Sequence, residues 1–142
     1  MSESELLWFI FTDNFISNLF FITNPELAIW SAPKLTNLSL EKILIAGSVG
    51  FGAAIIVNYI FGIVISKALA SSSENEKARN NQNLLKNIFA NFGFYVLAFS
   101  FFYIYSKLVV LIAGYIRYSF TRTFIIVMLS KIIFYAISLY SF

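Results

Sequence analysis

The chain has 142 residues, of which 59% are hydrophobic and 12% are charged, whereas an average soluble domain is about 25% charged. The absence of Cys and His excludes disulfides, thiol catalysis and Cys/His zinc sites, and a net charge of +3 without a basic block argues against nucleic-acid binding. We therefore expect an all-α polytopic integral membrane protein, a single transmembrane domain over residues 1–142 with about four segments of roughly 20 residues each.

The first apolar segment, residues 6–22, contains too many polar side chains for a good lipid-facing span. Its polar interruptions are Thr12, Asp13, Asn14, Ser17 and Asn18. Pro25 and Pro33 then bracket a short apolar piece with Glu26, which would complement the positive dipole of a helix beginning at Pro25. Two arrangements are open: an exposed loop with a short helix, or one arm of a re-entrant hairpin surrounded by protein or water.

Residues 44–65 form the clearest predicted span. Small or polar residues recur on one face at helical steps of three or four: Gly47, Gly50, Ala54, Asn58, Gly62 and Ser66. Such a face lets another helix approach closely, and an Asn amide can hydrogen-bond across the contact. We expect Gly47, Gly50, Ala54 and Gly62 to pack helices, within one chain or in a homodimer. Asn58 either joins that packing or lines a polar cavity.

Residues 71–83 form a polar, water-exposed linker between a first half, residues 20–66, and a second half, residues 88–142. The basic residues that flank it or lie within it are Lys67, Lys77, Arg79 and Lys86. The positive-inside rule places this linker in the cytoplasm.

The next apolar run, residues 88–116, is long for one span, and Ser106-Lys107 near its middle predicts a bend. If the run enters and returns, Arg117 and Arg122 join the cytoplasmic side, which the charge rule favours; if it crosses, they lie outside. Residues 123–140 form the last span. Each half thus has an interrupted segment followed by a cleaner helix, the pattern of a transport site built on an inverted repeat.

Lys107 and Lys131 interrupt apolar runs, where a charge at bilayer depth costs roughly 2.5–3.5 kcal/mol. Such charges are expected to face each other, a carboxylate or an anionic ligand, although Lys131 could instead snorkel along its helix. We predict that Glu26 and at least one of the two lysines converge in one polar cavity near mid-membrane. Arg117 is either part of such a site or an interface anchor.

Four short motifs carry a resemblance to a known family. They are Asn24-Pro25-Glu26, Asn58-Tyr59-Ile60-Phe61-Gly62, Ala113-Gly114-Tyr115-Ile116-Arg117 and Lys131-x-x-x-Tyr135. In order and spacing, over roughly residues 20–140, they resemble the DedA family of SNARE-associated or VTT-domain membrane proteins, especially its short YqaA-like branch. The chain departs from that pattern at Ile63, Tyr103, Lys107 and Ser130, where the family has Arg, Pro, an acid and Gly.

The resemblance implies two facing re-entrant hairpins, each followed by a helix, in a bacterial-type plasma membrane. It also implies a flippase or scramblase for a phospholipid or polyprenyl-phosphate headgroup, with membrane lipids as partners and no cofactor or metal. The residues expected to bind the headgroup or gate its passage are Glu26, Asn58, Lys107, Arg117, Lys131 and Tyr135, and Gly114 is expected to pack helices.

An alternative is a structural or accessory subunit of a larger membrane complex, in which partner chains would neutralise the buried charges. An intramembrane enzyme is not expected, because the sequence has no paired aspartates, Ser–His pair or HExxH motif.

Overall fold

The computed structural model describes residues 1–22, 25–70, 75–101 and 103–141, without the side chains of residues 75, 78, 101, 103 and 104. Its elements are α1 (Glu3–Ser17), α2 (Leu27–Leu35), α3 (Leu40–Ala70), α4 (Asn75–Ala98), a 3-10 turn (Phe99–Phe101), α5 (Tyr103–Tyr115) and α6 (Phe120–Tyr140). These described segments contain no strand, which confirms the prediction of an all-α chain.

Two of the described helices, α3 and α6, are long and apolar enough to cross a bilayer. The 31 residues of α3 extend about 46 Å and the 21 residues of α6 about 31 Å, against a hydrocarbon core of about 30 Å. The 15 residues of α1 and the 13 residues of α5 reach only about 22 and 20 Å. The predicted membrane segments therefore divide into two continuous helices and two interrupted ones.

The first interrupted segment is a hairpin of α1 and α2. Glu3 on α1 pairs with Lys42 at the start of α3. A cavity of about 280 Å³ is lined by Met1 and Leu6 together with Leu35 and Thr36 from the end of α2. The chain thus runs inward along α1 and returns along α2 to the same end of the molecule, here called the N-terminal end.

The turn of this first hairpin is held by side chains of α1. Asp13 Oδ2 accepts a hydrogen bond from the Ala28 N–H at 2.9 Å, and Ser17 Oγ donates to the Pro25 carbonyl at 3.3 Å. Glu26 is the N-cap of α2, but its side chain makes no capping bond. The expectation that α2 begins at Pro25 with Glu26 inside it was therefore wrong, because Asp13 supplies the cap from the neighbouring helix.

Asp13→Ala is expected to lower the free energy of unfolding by about 1 kcal/mol, because it leaves a donor at the start of α2 without its acceptor. The matched control is Thr12→Ala, which removes only a hydroxyl bonded to the Trp8 carbonyl within α1 and should change stability by less than about 0.5 kcal/mol. Denaturation of both variants in detergent measures the difference. Equal midpoints for the two variants would contradict the capping role of Asp13.

The second interrupted segment is a hairpin of α4, the 3-10 turn and α5. Gln82 Nε2 on α4 donates to the Tyr115 carbonyl at the end of α5 at 3.2 Å and to Ser66 Oγ near the end of α3 at 3.4 Å. This hairpin therefore opens where α3 ends, here called the linker end, opposite to the first hairpin. At its turn, Ser130 Oγ on α6 donates to the Ala98 carbonyl at 3.0 Å.

The expected position of the bend within residues 88–116 needs correction. The bend lies at Phe99–Phe101 rather than at Ser106-Lys107, which lies inside α5. Ser100 is buried, and its hydroxyl bonds to the Leu97 carbonyl, a local bond of the kind that competes with regular helix. Within the predicted linker, residues 71–74 lie outside the described part of the chain, and from Asn75 onward the chain is helical.

The small-residue face of α3 is used inside the chain. A Cβ at Gly50 would lie 2.5 Å from the Phe11 carbonyl of α1, and one at Gly62 would lie 2.2 Å from the Leu111 carbonyl of α5. Gly114 of α5 makes the reciprocal contact with α3, and Gly47 and Ala54 are buried on the same face. This face packs against α1 and α5, so it is not free to form a homodimer.

Two apolar clusters fill the interior, and α6 joins them. One cluster combines α3, α4, α5 and α6, and the other combines α1, α2, α3 and α6. The buried stripe of α6 recurs every four residues: Thr123, Val127, Lys131, Tyr135 and Leu139. Lys131 lies one turn from Val127 in the first cluster and one turn from Tyr135 in the second, so it lies where the clusters meet.

Candidate functional site

A buried polar cluster lies at this meeting point, and its centre is an ion pair. Lys131 Nζ lies 3.0 Å from Glu26 Oε1. The exposed fractions of the two residues are 1% for Lys131 and 4% for Glu26. Lys131 therefore points into the interior rather than snorkelling along α6, and the expected approach of Glu26 to one of the two lysines is present.

Three aromatic rings also lie close to the Lys131 ammonium. Its Nζ lies 5.2 Å from the Phe51 ring centroid, 5.1 Å from that of Tyr135 and 5.9 Å from that of Phe134. Rings at such distances attract a cation through the negative charge of their faces. The surroundings of Lys131 thus form a carboxylate-and-aromatic site for an ammonium group.

Two asparagines of α1 complete the surroundings of Glu26. Asn18 Nδ2 donates to Glu26 Oε1 at 2.7 Å and lies 2.9 Å from Asn14 Oδ1. The amide of Asn14 in turn lies 3.2 Å from the Tyr135 hydroxyl. Asn14, Asn18 and Tyr135 are each at most 1% exposed, so a continuous polar network joins α1 to α6 through the interior.

Asn58 holds the backbone at the turn of the first hairpin rather than lining an open cavity. Its Nδ2 donates to the Asn18 carbonyl at 2.8 Å, and its Oδ1 accepts from the Phe20 N–H at 3.0 Å. With 2% exposure, this amide replaces the helical hydrogen bonds that end with α1. Asn58 therefore positions Asn18, which in turn contacts Glu26.

Lys107 brings the second hairpin to the same place. Its Nζ donates to the Ile22 carbonyl in the turn of the first hairpin at 2.6 Å, and Lys107 is 5% exposed. The charge of Glu26 attracts this ammonium and that of Lys131 repels it. The structure thus brings Glu26, Lys107 and Lys131 together where the turns of the two hairpins meet.

Arg117 does not join the cluster. It lies in the exposed turn between α5 and α6, at the linker end, and it has a φ of 55°. Arg117 N–H donates to the Gly114 carbonyl at 3.1 Å and Tyr118 N–H to that of Ala113 at 2.8 Å. This is the Schellman end of a helix, which usually has Gly at the left-handed position.

Arg117→Gly is expected to raise the free energy of unfolding by about 1 kcal/mol, because a left-handed conformation costs other L-residues about 1–2 kcal/mol. The matched control is Arg122→Gly, which is equally exposed but lies inside α6 and should lower stability by up to about 1 kcal/mol. Thermal denaturation in detergent reads both effects. A loss of stability in both variants would show that the turn does not strain Arg117.

Sequence reasoning missed Asn14 and Asn18 as components of the buried cluster, and Asp13 and Ser17 as side chains that hold the hairpin turn beside it. Their polar character was noted only as a defect in a membrane span. Asn14 and Asn18 are four residues apart and share one helix face, and that spacing next to Pro25-Glu26 was the available signal.

The cluster carries charge but no metal-ligand set. Within the described segments, no three His, Cys, Asp or Glu residues lie close enough to hold a metal ion. One carboxylate and two ammonium groups leave the cluster with a formal charge of +1. Such an excess of positive charge suits the binding of an anion.

Comparison with known proteins finds no matching family model and no matching solved structure. The chain is similar to an uncharacterized protein of Rickettsia prowazekii (strain Madrid E), with 25% identity over 142 residues covering 100% of both chains. This similarity carries no activity with it, so function is inferred from the buried cluster.

Proposed function

We propose that this protein is a DedA-type membrane transporter that moves the phosphate-bearing headgroup of a lipid between leaflets. The observation that supports it is the buried Glu26–Lys131 pair, with Lys107 bonded to the facing hairpin turn. Charges so deeply buried are costly, and inside membranes they commonly mark pathways for ions and polar substrates.

In the proposed arrangement, α3 and α6 cross the bilayer and the two hairpins are re-entrant from opposite sides, as an inverted repeat. The basic residues at or near the linker end are Lys67, Lys77, Arg79, Lys86, Arg117 and Arg122. The N-terminal end carries Glu3, Glu5 and Glu41 beside Lys34 and Lys42. By the positive-inside rule, the linker end is cytoplasmic and the N-terminal end lies outside, in a bacterial-type plasma membrane.

An anionic phosphate suits the charges at the hairpin turns. Lys107 and Lys131 provide two ammonium groups, which act as point charges toward phosphate oxygens, and the cluster has an excess positive charge. Because Glu26 and Lys131 are almost fully buried, a headgroup reaches them only when the hairpins separate from α6. Glu26 then acts as a gate that holds Lys131 until the phosphate competes for it.

The proposed work is binding and passage, without bond making, so the protein is not an enzyme. Tyr135 contributes directly, through its ring beside the Lys131 ammonium, whereas Asn58 contributes indirectly. Tyr135 contacts Asn14, and Asn58 orients Asn18 beside Glu26. Arg117, at the linker end, is proposed to meet headgroups at the cytoplasmic interface.

Reconstitution of the purified protein alone tests this proposal. Liposomes with a fluorescent label on the lipid acyl chain are treated with dithionite, which bleaches only the outer leaflet. With the wild type, dithionite should bleach more label than the outer leaflet alone contains, because inner-leaflet lipid is carried outward. Lys107→Met should abolish this additional bleaching. The matched control is Lys77→Met, an exposed lysine on α4, which should behave as the wild type. Bleaching no greater than in protein-free liposomes would refute transport by this chain.

An accessory subunit of a larger membrane complex is the second candidate, and one observation favours it. A stripe of exposed apolar side chains runs along α4 and into the 3-10 turn: Leu84, Ile88, Phe92, Tyr95 and Phe99. Such a stripe faces either lipid tails or another subunit. Transport by the protein alone would exclude a purely accessory role, whereas inactivity alone with activity after co-purification of a partner would favour it.

A further inference from the structure

We infer that the transported headgroup carries a primary ammonium group in addition to its phosphate. This inference rests on the proposed function and names the substrate class of the same buried cluster. It is carried by what surrounds the Lys131 ammonium and by one acceptor, Asn18 Oδ1, which belongs to the amide bonded to Glu26 and has no donor among the described residues.

The Lys131 ammonium occupies a complete cation site. Glu26 supplies the carboxylate at 3.0 Å, and the rings of Phe51, Phe134 and Tyr135 lie within 6 Å. Carboxylate and ring faces together are the means by which proteins recognise alkylammonium ligands. In this closed arrangement, a side chain of the protein itself fills that site.

A phosphate that binds Lys131 must draw it away from Glu26. Glu26 is 4% exposed, and its other side-chain hydrogen-bond partners among the described residues are the neutral Asn18 and Tyr135. A buried carboxylate that loses its cation is strongly unfavourable. A headgroup that carries only a phosphate would therefore leave Glu26 without the Lys131 ammonium beside it. An ammonium group on the same headgroup would take the place of Lys131 there.

The unpaired acceptor, Asn18 Oδ1, favours a primary ammonium group over a quaternary one. Asn18 is 1% exposed, and its Oδ1 has no hydrogen-bond donor in the part of the chain that the structure describes. Because Asn18 Nδ2 already bonds to Glu26, the free Oδ1 lies in the same amide, next to the carboxylate. A primary ammonium can donate to both Glu26 and this oxygen, whereas a quaternary ammonium has no N–H to offer.

Every charge then keeps an opposite partner. Before binding, Glu26 pairs with Lys131, and Lys107 is held by the Ile22 carbonyl. After binding, Glu26 pairs with the ligand ammonium, and the phosphate lies between Lys107 and Lys131. A phosphodiester headgroup with an ethanolamine-type amine has this composition, whereas a glycerol headgroup lacks the cation.

The test compares headgroups in reconstituted liposomes. Three lipids with the same acyl-chain label carry phosphoethanolamine, phosphocholine or phosphoglycerol headgroups. The ethanolamine lipid should cross at least about tenfold faster than the other two, a ratio that corresponds to about 1.4 kcal/mol. Equal rates for all three, or a faster glycerol or choline lipid, would overturn this inference and leave the transport proposal standing. If none of them crosses, both proposals fail.

A matched pair of variants tests whether the cation site sets the preference. Phe51→Leu removes one ring from the ammonium site and should reduce the ratio of ethanolamine to glycerol transport. Phe89→Leu makes the same change in the same apolar cluster but at a ring that packs against Tyr118, and it should keep the ratio. An unchanged ratio in Phe51→Leu would contradict the role of the rings.

A binding measurement on the wild-type site covers the case in which Phe51→Leu fails to fold. Trp30 lies 5.9 Å from the Tyr135 ring and 6.0 Å from that of Phe134, so its fluorescence reports on the site once Trp8 is replaced by Phe. Soluble phosphoethanolamine should change the emission saturably, and glycerol 3-phosphate should not. Equal responses to both ligands would overturn the inference.

Discussion

Lys131→Met is expected to abolish headgroup transport and to lower the free energy of unfolding by about 3–5 kcal/mol. Removing one member of a buried ion pair leaves the other as an uncompensated buried charge, and that state is the source of the cost. Glu26 lies in contact with Lys131 and is almost fully buried, so it has no route to water without unfolding of the hairpin turn. Denaturation with sodium dodecyl sulfate in mixed micelles measures the stability, and the liposome assay measures transport.

The double variant Glu26→Leu/Lys131→Met separates the two effects. Replacing both members of a buried pair by apolar residues is often neutral or stabilising, so the double variant should regain most of the lost stability and remain inactive. Lys67→Met, at an exposed lysine near the end of α3, is the matched control and should stay within about 0.5 kcal/mol of the wild type. Full activity of Lys131→Met would reduce Lys131 to a structural residue.

Gly114→Ala is expected to have the second largest effect, with a loss of about 3 kcal/mol of stability. The added Cβ would lie 2.1 Å from the Tyr59 carbonyl oxygen and 2.9 Å from its carbonyl carbon. Because these are backbone atoms of α3, neither can rotate aside, and the two helices must move apart. Overpacking of a closely packed interior usually costs about 1–3 kcal/mol, and a backbone clash lies at the upper end of that range.

Gly52→Ala, at a buried glycine of α3, is the matched control. Its Cβ would meet the Met128 sulfur at 3.4 Å, an ordinary contact with a flexible side chain, so its stability should stay close to that of the wild type. The same denaturation assay compares the two variants. A tolerant Gly114→Ala would mean that α3 and α5 do not cross at this residue.

The fold was predictable where hydrophobic periodicity is strong. The predicted spans, residues 44–65 and 123–140, lie inside α3 and α6. Long apolar runs with small or buried residues at helical spacing are typical of helices. The position of the second bend was not predictable to the residue. It depends on a hydroxyl-to-backbone bond at Ser100, whereas the charge of Lys107 suggested a different place.

The site was predictable in its charges but not in its polar neighbours. Glu26 and Lys131 attracted attention because an isolated charge in an apolar run demands a partner, and the structure brings them into contact. Asn14 and Asn18 are neutral, and Asn18 contacts Glu26 eight positions away, whereas Asn14 contacts Tyr135, 121 positions away. The spacing of the two asparagines indicates a shared helix face, but one sequence does not reveal the distant partner of Asn14.

Site-directed labelling tests the proposed pair of oppositely oriented hairpins most directly. Because the chain contains no Cys, single-cysteine variants at Ser4, Asn37, Asn83 and Ser119 are each labelled at one known place, and all four residues are exposed. A membrane-impermeant maleimide applied to intact cells should label Ser4→Cys and Asn37→Cys, whereas Asn83→Cys and Ser119→Cys should react only after permeabilisation. Labelling of Ser4→Cys and Asn37→Cys from opposite sides, or of Asn83→Cys and Ser119→Cys from opposite sides, would show that a hairpin crosses the membrane and would contradict this account.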